Sequence, residues 1–288
     1  MARFLFITDT HIGANPIGWH QQPAYPDHAE ELMPWLVSLI QEHSVDFVLH
    51  GGDLVHQCTE ANIRLAQQIF SNLPVPMYLS LGNHDLDRED ALELWLGIAP
   101  EWFGGGQPQY DILWEDCVIH VVPNNWEQDR PYFWEKKQEP SFTEEQLERL
   151  RSSLQYKDEG KTHLLSIHHP IYGVPESQTG LGKVIHPVSP SFTEVVESFM
   201  KEFPKLRCVL SGHNHINTLI RNEHGLFVSG SSLVETPFEC KLVEVTSGGI
   251  RIQTLTCDHP LTFEPSYNQT KAYVQGTDVH RNIDWRFF

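Results

Sequence analysis

Five short polar motifs hold the residues of this chain whose types and spacing could do chemistry. They are Asp9-Thr10-His11, Gly51-Gly52-Asp53, Gly82-Asn83-His84-Asp85, His168-His169-Pro170 and Gly212-His213-Asn214-His215. Their ligand-type side chains are carboxylates, imidazoles and carboxamides, with no thiol among them. That is the ligand chemistry of borderline-hard transition metals. The motifs offer more candidate ligands than one ion can bind, so they predict a centre with two ions.

Each motif follows directly on a short apolar run, and these runs indicate what must position the motifs. The runs span residues 4–8, 47–50, 77–81, 164–167 and 208–211. Apolar runs of this length that end at glycine or polar residues are typical of buried strands. Residues just past the carboxyl ends of such strands lie at the crevice where α/β folds place their ligands. The motifs are therefore predicted to converge on one place although they are far apart in sequence.

In this order the motifs resemble the signature of the calcineurin-like metallophosphoesterase superfamily, which is Asp-x-His, Gly-Asp, Gly-Asn-His-Asp, His and Gly-His-x-His. The resemblance extends from Asp9 to His215 and so covers most of the chain. One Asp-x-His pair would be a weak signal, but five matches in the right order, each behind a predicted strand, are specific. The resemblance implies an α/β fold of two packed mixed β-sheets flanked by helices, a four-layer α/β/β/α sandwich.

The resemblance also implies how two transition-metal ions are held. The first ion would be bound by Asp9, His11, Asp53 and His215, and the second by Asp53, Asn83, His168 and His213. Asp53 would then bridge the two ions, and Mn, Fe or Zn all suit these oxygen and nitrogen ligands. An extended backbone would send residues i and i+2 of Asp-x-His and His-x-His to the same side. The motif glycines would let the backbone turn sharply or approach the ions closely.

His84 is not a ligand in this scheme. The resemblance implies that it stands over the substrate as general acid to the leaving oxygen, or as a charge stabiliser. The alternative is a residue at a helix start that pairs with Asp85 or Asp87. Many relatives carry an aspartate three residues after the bridging aspartate, where it orients the catalytic histidine, but this chain has His56. Asp85 and His56 are therefore the candidates to hold an imidazole of the site in place.

Net charge and cysteine usage bound the partners and the compartment. A net charge of −18 repels a polyanion, so a small phosphoester is expected as the partner rather than a nucleic-acid polymer. The sequence shows no signal-peptide pattern and no apolar run of membrane-spanning length, and its five cysteines are scattered. A cytoplasmic location with reduced thiols and no membrane partner is therefore expected.

The length allows one large core, and no break in composition forces a second domain. Residues 1–257 are predicted to form the metallophosphoesterase domain and residues 258–288 a C-terminal extension. That extension ends in Trp285-Arg286-Phe287-Phe288, and aromatic surface of this kind is costly to leave in water. We therefore expect the extension to dock on its own domain or on a second subunit, so that a homo-oligomer is one possibility.

The remaining elements are predicted from periodicity and caps. Helices are predicted over 27–43, 59–72, 87–96, 143–156 and 192–203. Gly97 is the expected C′ residue of the third helix, and Ser-x-x-Glu capping boxes are expected to open the last two. After His215 the alternating runs 218–222, 226–229, 241–245 and 250–256 predict a β-meander that completes a second sheet.

Two long loops, 100–140 and 171–190, and the stretch 14–26 next to the first motif are the candidates for contact with substrate. A base or headgroup could stack on Trp126 or Tyr172, and Asn124 could bind its polar groups. His20 could line the pocket. The alternative is that the aromatic residues of these loops pack the loops onto the core.

Gly-Asn-His-Asp, His-His-Pro and the short chain resemble the cyclic-nucleotide and glycerophosphodiester phosphodiesterase branch. Protein serine/threonine phosphatases instead follow Gly-Asp with Asp-Arg-Gly and carry Gly-Asn-His-Glu, and this chain has neither. The expected activity is hydrolysis of small phosphodiesters by attack of a metal-bound hydroxide. The alternatives are a phosphomonoesterase, a nuclease, which the acidic charge disfavours, and a catalytically silent scaffold of the same fold.

Overall fold

Two six-stranded sheets form the framework of the computed structural model, which describes residues 1–15, 20–125, 132–134, 139–156 and 160–287. Strands are numbered in chain order. The first sheet has the order β12-β11-β10-β1-β2-β3. It contains β1 (Ala2–Ile7), β2 (Phe47–His50), β3 (Met77–Leu79), β10 (Glu239–Thr246), β11 (Gly249–Thr256) and β12 (Ile283–Arg286). The second has the order β4-β5-β6-β7-β9-β8. It contains β4 (Tyr110–Leu113), β5 (Cys117–Val121), β6 (Thr162–Ser166), β7 (Leu206–Ser211), β8 (Thr218–Arg221) and β9 (Leu226–Ser229).

The helices flank these sheets. They are α1 (Met33–His43), α2 (Glu60–Phe70), α3 (Ala91–Ile98), α4 (Glu144–Tyr156), α5 (Glu176–Thr179), α6 (Pro190–Glu202) and α7 (Asp278–Arg281). Short 3₁₀ segments span Pro26–Leu32, His84–Leu86, Pro100–Trp102, Gly104–Gly106 and Gln269–Val274. Among the described helices, none combines the length and the apolar character needed to cross a bilayer.

The packing gives the predicted layers. The larger apolar core contains residues of both sheets, such as Phe4 and Phe47 from the first and Ile119 and Leu210 from the second. A separate core, with side chains of α4 and α6 against the second sheet, covers that sheet's other face. This is the predicted sandwich of two mixed sheets flanked by helices, because each sheet buries both faces.

Parallel pairing brings the motifs to one end of each sheet. Strands β1, β2 and β3 are parallel neighbours, as are β5, β6, β7 and β9. The five predicted motif strands all exist, with bounds that differ from the predictions by a few residues at most. Since parallel strands end at the same edge of a sheet, the motifs that follow them are gathered there.

Three local predictions are wrong. The helix α3 runs past Gly97 and ends at Ile98, so this glycine is not its C′ residue. The capping box of α4 is Thr143 with Gln146, since the amide of each donates to the other's side chain at 2.9 and 3.2 Å. Glutamine serves this role as well as glutamate, so the box forms at Thr143, two residues after the predicted Ser141. At α6, Ser189 is the N-cap residue without a side-chain cap bond, and Pro190 fills the first turn.

The predicted meander is also wrong, because its two halves belong to different sheets. The hairpin β8–β9 joins the second sheet, and the chain then crosses so that the hairpin β10–β11 joins the first. Alternation in a strand specifies which side chains are buried, but both sheets bury a face of the same kind. Local pattern therefore could not decide which sheet each hairpin enters.

The C-terminal segment docks on its own domain, which is one of the two outcomes expected for it. Strand β12 pairs with β11 and lies at the edge of the first sheet. Arg281 forms an ion pair with the buried carboxylate of Glu239 at 2.5 Å. The amide of Asn217 donates to the carbonyl of Val274 at 2.9 Å. The division of the chain at residue 257 stays a prediction.

Candidate metal centre

The predicted ligands lie in sharp turns rather than in extended backbone, so that part of the prediction is wrong. Residues with left-handed φ angles are Asp9 (56°), His11 (43°), Asp53 (52°), His213 (66°) and His215 (57°). Such angles cost of order 1–3 kcal/mol each in residues other than glycine and persist only where neighbours enforce them. Here the amides of Asp9 and His11 donate to the carbonyls of Gly52 and Asp53 at 3.0 and 2.9 Å. The two loops thus hold each other in conformations that point their side chains inward.

The first group of side chains is Asp9, His11 and His215, all of them buried. The Nε2 atoms of His11 and His215 face each other at 3.1 Å. Nε2 of His215 lies 3.4 Å from Oδ1 of Asp9, and Nε2 of His11 lies 4.0 Å from the same oxygen. Two ligands at about 2 Å from one ion are themselves about 3 Å apart. The three side chains are therefore placed as ligands of one ion would be.

The second group contains Asp53, His168, His213 and Asn83. Nε2 of His168 lies 3.1 Å from Oδ2 of Asp53, and Nδ1 of His213 lies 3.0 Å from Oδ1 of Asn83. Nδ1 of His168 donates to the carbonyl of Gly51 at 2.8 Å. Although Oδ2 of Asp53 is close, no described residue offers its buried Nε2 a partner with good hydrogen-bond geometry, and a buried polar atom in this state is costly. An ion bound between this nitrogen and the carboxylate would remove that cost, so the group fits a metal.

Asp53 joins the two groups, as expected of a bridging ligand. Its Oδ2 lies 3.1 Å from His168 in the second group and 3.8 Å from Nε2 of His11 in the first. Its Oδ1 accepts a hydrogen bond from the amide of His84 at 2.8 Å. Oδ1 of Asp9 also reaches both groups, but it lies 3.9 Å from Nε2 of His168 and 4.0 Å from Nε2 of His11, so Asp53 is the carboxylate nearer to the second group. The centre is therefore continuous through Asp53.

The pKa shifts describe a centre in which protonated histidines compensate the negative charge of the carboxylates. Burial opposes a charge on Asp53, but His168 and His84 hold its pKa well below the usual range. Burial also opposes protonation of His168, yet Asp53 and Asp9 raise its pKa to about 9. For His215, burial is likewise outweighed by Asp9 and Glu235, which raise its pKa. Because metal ligands must be deprotonated, ions that bind here displace these protons.

The histidine between the two groups, His84, is held by a main-chain carbonyl. Its Nδ1 donates to the carbonyl oxygen of His56 at 2.8 Å, which leaves Nε2 for other partners. Its ring stacks on His56 at 4.6 Å between centroids and meets the ring of His11 edge-on at 4.8 Å. The carbonyl thus does what the aspartate of many relatives does. Nδ1 of the His56 ring lies 3.2 Å from Nδ1 of His11, so His56 contacts a candidate ligand imidazole, and its role there stays a prediction.

Asp85 does not hold an imidazole, and that prediction is wrong. One carboxylate oxygen accepts from the amide of Gly82 at 2.9 Å and the other from the amide of Val55 at 3.1 Å. Burial, with the nearby charge of Asp53, raises its pKa to about 8. Asp85 therefore ties together the loops that follow β2 and β3, because both of its oxygens are occupied by backbone.

The motif glycines make room for ligand side chains rather than for the ions. A Cβ on Gly52, whose φ is +107°, would lie 2.4 Å from Nδ1 of His168. A Cβ on Gly82 would lie 2.3 Å from Oδ1 of Asp53. Both distances are far inside van der Waals contact, so only glycine allows these side chains to approach the backbone.

Residues 2–217 match the family profile of the calcineurin-like phosphoesterases. The chain belongs to this family. The match spans all five motifs, and the family implies two transition-metal ions, for which the two ligand groups are the candidates. No curated protein matches the sequence.

Solved structures show the same fold at low identity. A dimetal phosphatase from Danio rerio is similar with a TM-score of 0.65 and 13% identity, over 88% of this chain and 96% of that one. GAP50, the anchor in the inner membrane complex of Plasmodium, has a TM-score of 0.60 and 13% identity, over 92% and 88%. A purple acid phosphatase from seeds of yellow lupin (Lupinus luteus) has a TM-score of 0.57 and 15% identity, over 88% of this chain and 51% of that one.

Two of the residues predicted to contact substrate, Asn124 and Tyr172, make contacts within the fold. Asn124 is fully buried, and its Oδ1 accepts from the amide of His169 at 2.8 Å, so it supports the His-His-Pro turn from behind. The hydroxyl of Tyr172 donates to Glu197 on α6, and its ring packs on Phe227 in the outer core. The prediction for Tyr172 is wrong, because its hydroxyl and its ring are used inside the fold. A contact of Asn124 with substrate stays a prediction, since its buried Nδ2 has no hydrogen-bond partner among the described residues.

The other two candidates have different outcomes. His20 lies at the edge of the centre, near enough to Glu235 and His215 for their charges to affect it. Burial is the main reason why the pKa of His20 is lowered. A role of His20 in substrate binding stays a prediction, and Trp126 lies outside the described residues.

The structure adds residues that the sequence pattern did not single out for the site. The ring of Trp134 lies 5.2 Å from that of His84, and its amide donates to the carbonyl of Leu86 at 2.8 Å. Glu235 contacts His215 at 2.5 Å between Oε1 and Nδ1. In the sequence, Trp134 is one of several aromatic residues of the loop 100–140, which gives a weak signal. No local spacing in the sequence marks Glu235 as a partner of His215.

Proposed function

We propose that this protein is a dinuclear metal-dependent phosphodiesterase that hydrolyses small diesters of the cyclic-nucleotide or glycerophosphodiester type. The observation that carries the proposal is the meeting of two ligand groups at Asp53, with Nε2 of His84 left for substrate. The net charge of −18 supports a small substrate over a nucleic-acid polymer.

In this proposal the first ion is held by Asp9, His11, Asp53 and His215, and the second by Asp53, Asn83, His168 and His213. When bound, two such ions acidify a water between them and clamp the phosphoryl oxygens during in-line displacement. Mn, Fe and Zn are the candidate metals, because nitrogen and oxygen ligands of this kind suit all three. The ligand set includes no thiolate, which would have favoured Zn or Cu(I).

His84 supplies the proton for the leaving group. Its Nδ1–H is committed to the carbonyl of His56 at 2.8 Å, so the proton that reaches substrate is the one at Nε2. An alkoxide leaves poorly without a proton, and a positioned imidazole can provide it. The stack of His84 on His56 keeps its ring in one orientation while the proton moves.

The described part of the rim has few cationic groups that could clamp a phosphate, and this favours a diester over a monoester. Its described side chains are mainly rings and an amide, namely His56, His84, Trp134, His20, Gln21 and His186. Lys271 adds an ammonium group close enough to His20 to affect it. A dianionic monoester benefits more than a monoanionic diester from guanidinium or ammonium clamps.

The test is a substrate panel on the purified full chain, with its metal content measured. Cyclic nucleotides, glycerophosphodiesters, bis-nitrophenyl phosphate and monoesters are compared after loading with Mn, Fe or Zn. We expect diesters to be hydrolysed at least about tenfold faster than monoesters, a difference of about 1.4 kcal/mol in barrier. Faster turnover of monoesters would support a phosphatase instead. Two bound ions without turnover of any ester would support a silent scaffold.

A further inference from the structure

One buried carboxylate outside the five motifs contacts a candidate ligand. Glu235 is 2% exposed, and its Oε1 accepts from Nδ1 of His215 at 2.5 Å. Its Oε2 accepts from the amides of Gln22 and Gln21 at 2.7 and 3.1 Å. The two oxygens of one side chain therefore bind a ligand imidazole and a separate loop.

The segment that carries Glu235 is anchored on the first metal motif. It is the part of the chain that crosses from the second sheet to the first. The hydroxyl of Ser232 donates to the carbonyl of Asp9 at 2.6 Å. The backbone amide of Leu233 donates to the carbonyl of Thr8 at 3.0 Å. The amide of Tyr25 donates to the carbonyl of Val234 at 2.8 Å. Glu235 is thus fixed relative to the ligands by backbone hydrogen bonds on both sides.

The contact with Glu235 determines which nitrogen of His215 is available. Because Nδ1 donates to the carboxylate, Nε2 is the nitrogen that faces His11 at 3.1 Å and Asp9 at 3.4 Å. A carboxylate behind a ligand histidine fixes the ring and makes the other nitrogen a better donor to a metal.

The second oxygen of Glu235 holds the loop that forms one side of the rim. That loop contains His20 and Gln21, and the side chain of Gln21 lies 3.3 Å from Nε2 of His186 on the opposite loop. Any shift of the carboxylate therefore changes its hydrogen bonds both to the ligand His215 and to the loop at the rim.

We propose that Glu235 is a positioning residue that holds His215 as a ligand of the first ion and couples that ion to the loop 20–22. The inference rests on the dinuclear centre of the proposed function. It predicts that loss of the carboxylate lowers the affinity for one of the two ions and not for the other. It also predicts that metal binding stabilises the hydrogen bonds from the Gln21 and Gln22 amides to Glu235.

Glu239 offers a matched control. It is equally buried at 2% exposed and also lies in a polar cluster, where Oε2 accepts from Asn217 at 2.6 Å and Oε1 pairs with Arg281 at 2.5 Å. Its partners Asn217, Ser231, Thr256 and Arg281 are not ligands of the centre. Glu239→Gln therefore removes a buried carboxylate of the same kind without removing support from His215.

The experiment measures the affinity of the full chain for Mn²⁺ and Zn²⁺ by competition with a chelator, for wild type, Glu235→Gln, Glu235→Asp and Glu239→Gln. Circular dichroism first establishes that each variant is folded. Glu235→Gln should bind one ion about 10–100-fold more weakly and the other as wild type does. Glu235→Asp keeps the charge and should recover part of the loss. Glu239→Gln should bind both ions as wild type does.

Hydrogen exchange tests the coupling to the loop. In wild type, addition of Mn²⁺ should slow exchange of the Gln21 and Gln22 amides, and in Glu235→Gln it should not. Two ions bound with wild-type affinity in folded Glu235→Gln would overturn this inference and leave the dinuclear centre standing. Fewer than two ions in the wild type would overturn the proposed function and this inference with it. An equal loss in Glu239→Gln would show a general structural effect and would also overturn it.

Discussion

The chain buries histidines in two separate clusters, one in the candidate metal centre and one within the second sheet. In the second cluster Nδ1 of His120 contacts Oδ1 of Asp111 at 2.6 Å, and Nε2 of His120 contacts Nδ1 of His163 at 2.8 Å. The other oxygen of Asp111 accepts from the hydroxyl of Ser153 at 2.6 Å. Both nitrogens of His120 are therefore satisfied by protein groups.

The metal centre differs in what its nitrogens face. No described residue offers Nε2 of His168 a partner with good hydrogen-bond geometry, although a carboxylate oxygen lies 3.1 Å away. The Nε2 atoms of His11 and His215 meet at 3.1 Å, where only one can donate to the other. Both clusters are largely buried, but the second has two histidines, whereas the metal centre has the four candidate ligands His11, His168, His213 and His215. The difference teaches that a candidate metal site turns imidazole nitrogens and carboxylate oxygens of separate motifs toward the same point, whereas the structural cluster is a closed chain of hydrogen bonds.

The largest expected effect comes from Asp53, which touches both ligand groups. Asp53→Asn should lose metal content, and activity should fall about 10⁴-fold or more, because bound ions supply several kcal/mol of transition-state stabilisation. Metal analysis and turnover of a diester on the same sample measure both. Full activity of the variant, or of wild type after exhaustive chelation, would contradict the dinuclear centre.

His84 is expected to affect chemistry without affecting the metals. His84→Ala should slow hydrolysis of an alkyl phosphodiester by a factor on the order of 10²–10⁴ and leave metal content nearly unchanged. Bis-nitrophenyl phosphate should be slowed less, since nitrophenolate leaves without a proton. His168→Ala is the control, because loss of a ligand should impair both substrates. An equal loss on both substrates in His84→Ala, with both ions bound, would make His84 an electrostatic residue and not a proton donor.

The second cluster should respond in stability alone. Asp111→Asn replaces a carboxylate that binds His120 and Ser153, and the loss of these charge-assisted hydrogen bonds should cost about 1–3 kcal/mol in the free energy of unfolding. Metal content and turnover of the folded variant should equal those of wild type. Denaturant unfolding and metal analysis measure the two effects. Lower metal content in the folded variant would show that the two clusters are not independent.

The smallest effect near neutral pH concerns His50, which lies beside the centre but is satisfied like His120. Its Nδ1 accepts from the amide of Gly52 at 3.2 Å, and its Nε2 donates to the hydroxyl of Thr10 at 3.1 Å. Burial, partly opposed by Asp9, lowers its pKa to about 3. The unfolded chain binds a proton here below about pH 6.5 while the folded protein does not, so stability is lost as the pH falls towards 3.

His50→Gln should remove this contribution. Between about pH 6 and 4 the wild type should lose about 1.4 kcal/mol per pH unit more than the variant does. Urea unfolding of both proteins at matched pH values gives the difference, in which the other titrating groups cancel. Parallel stability curves would mean that His50 is protonated in the folded protein.

Much of the candidate site was predictable because its candidate ligands lie in short sequence motifs. A strand and the polar residues that follow it are adjacent in sequence, so Asp9, Asp53, Asn83 and the histidines of the last two motifs could be named without coordinates. Parallel pairing then explains why they converge. The left-handed turns were not predicted, because they are imposed by hydrogen bonds between loops that are distant in the chain.

The sequence by itself determined the family, the ligand types and most of the strands, since these depend on residue identity and on local periodicity. Only the tertiary structure decided that Tyr172 is structural, which sheet each late hairpin enters, and where β12 docks. It also decided that the carbonyl of His56 holds His84 and that Glu235 supports His215. Every residue has a carbonyl and most buried carboxylates have partners, so neither role leaves a mark in the sequence. Glu235 reaches His215 because the chain crosses there between the sheets, and His56 meets His84 because the loops after β2 and β3 lie side by side.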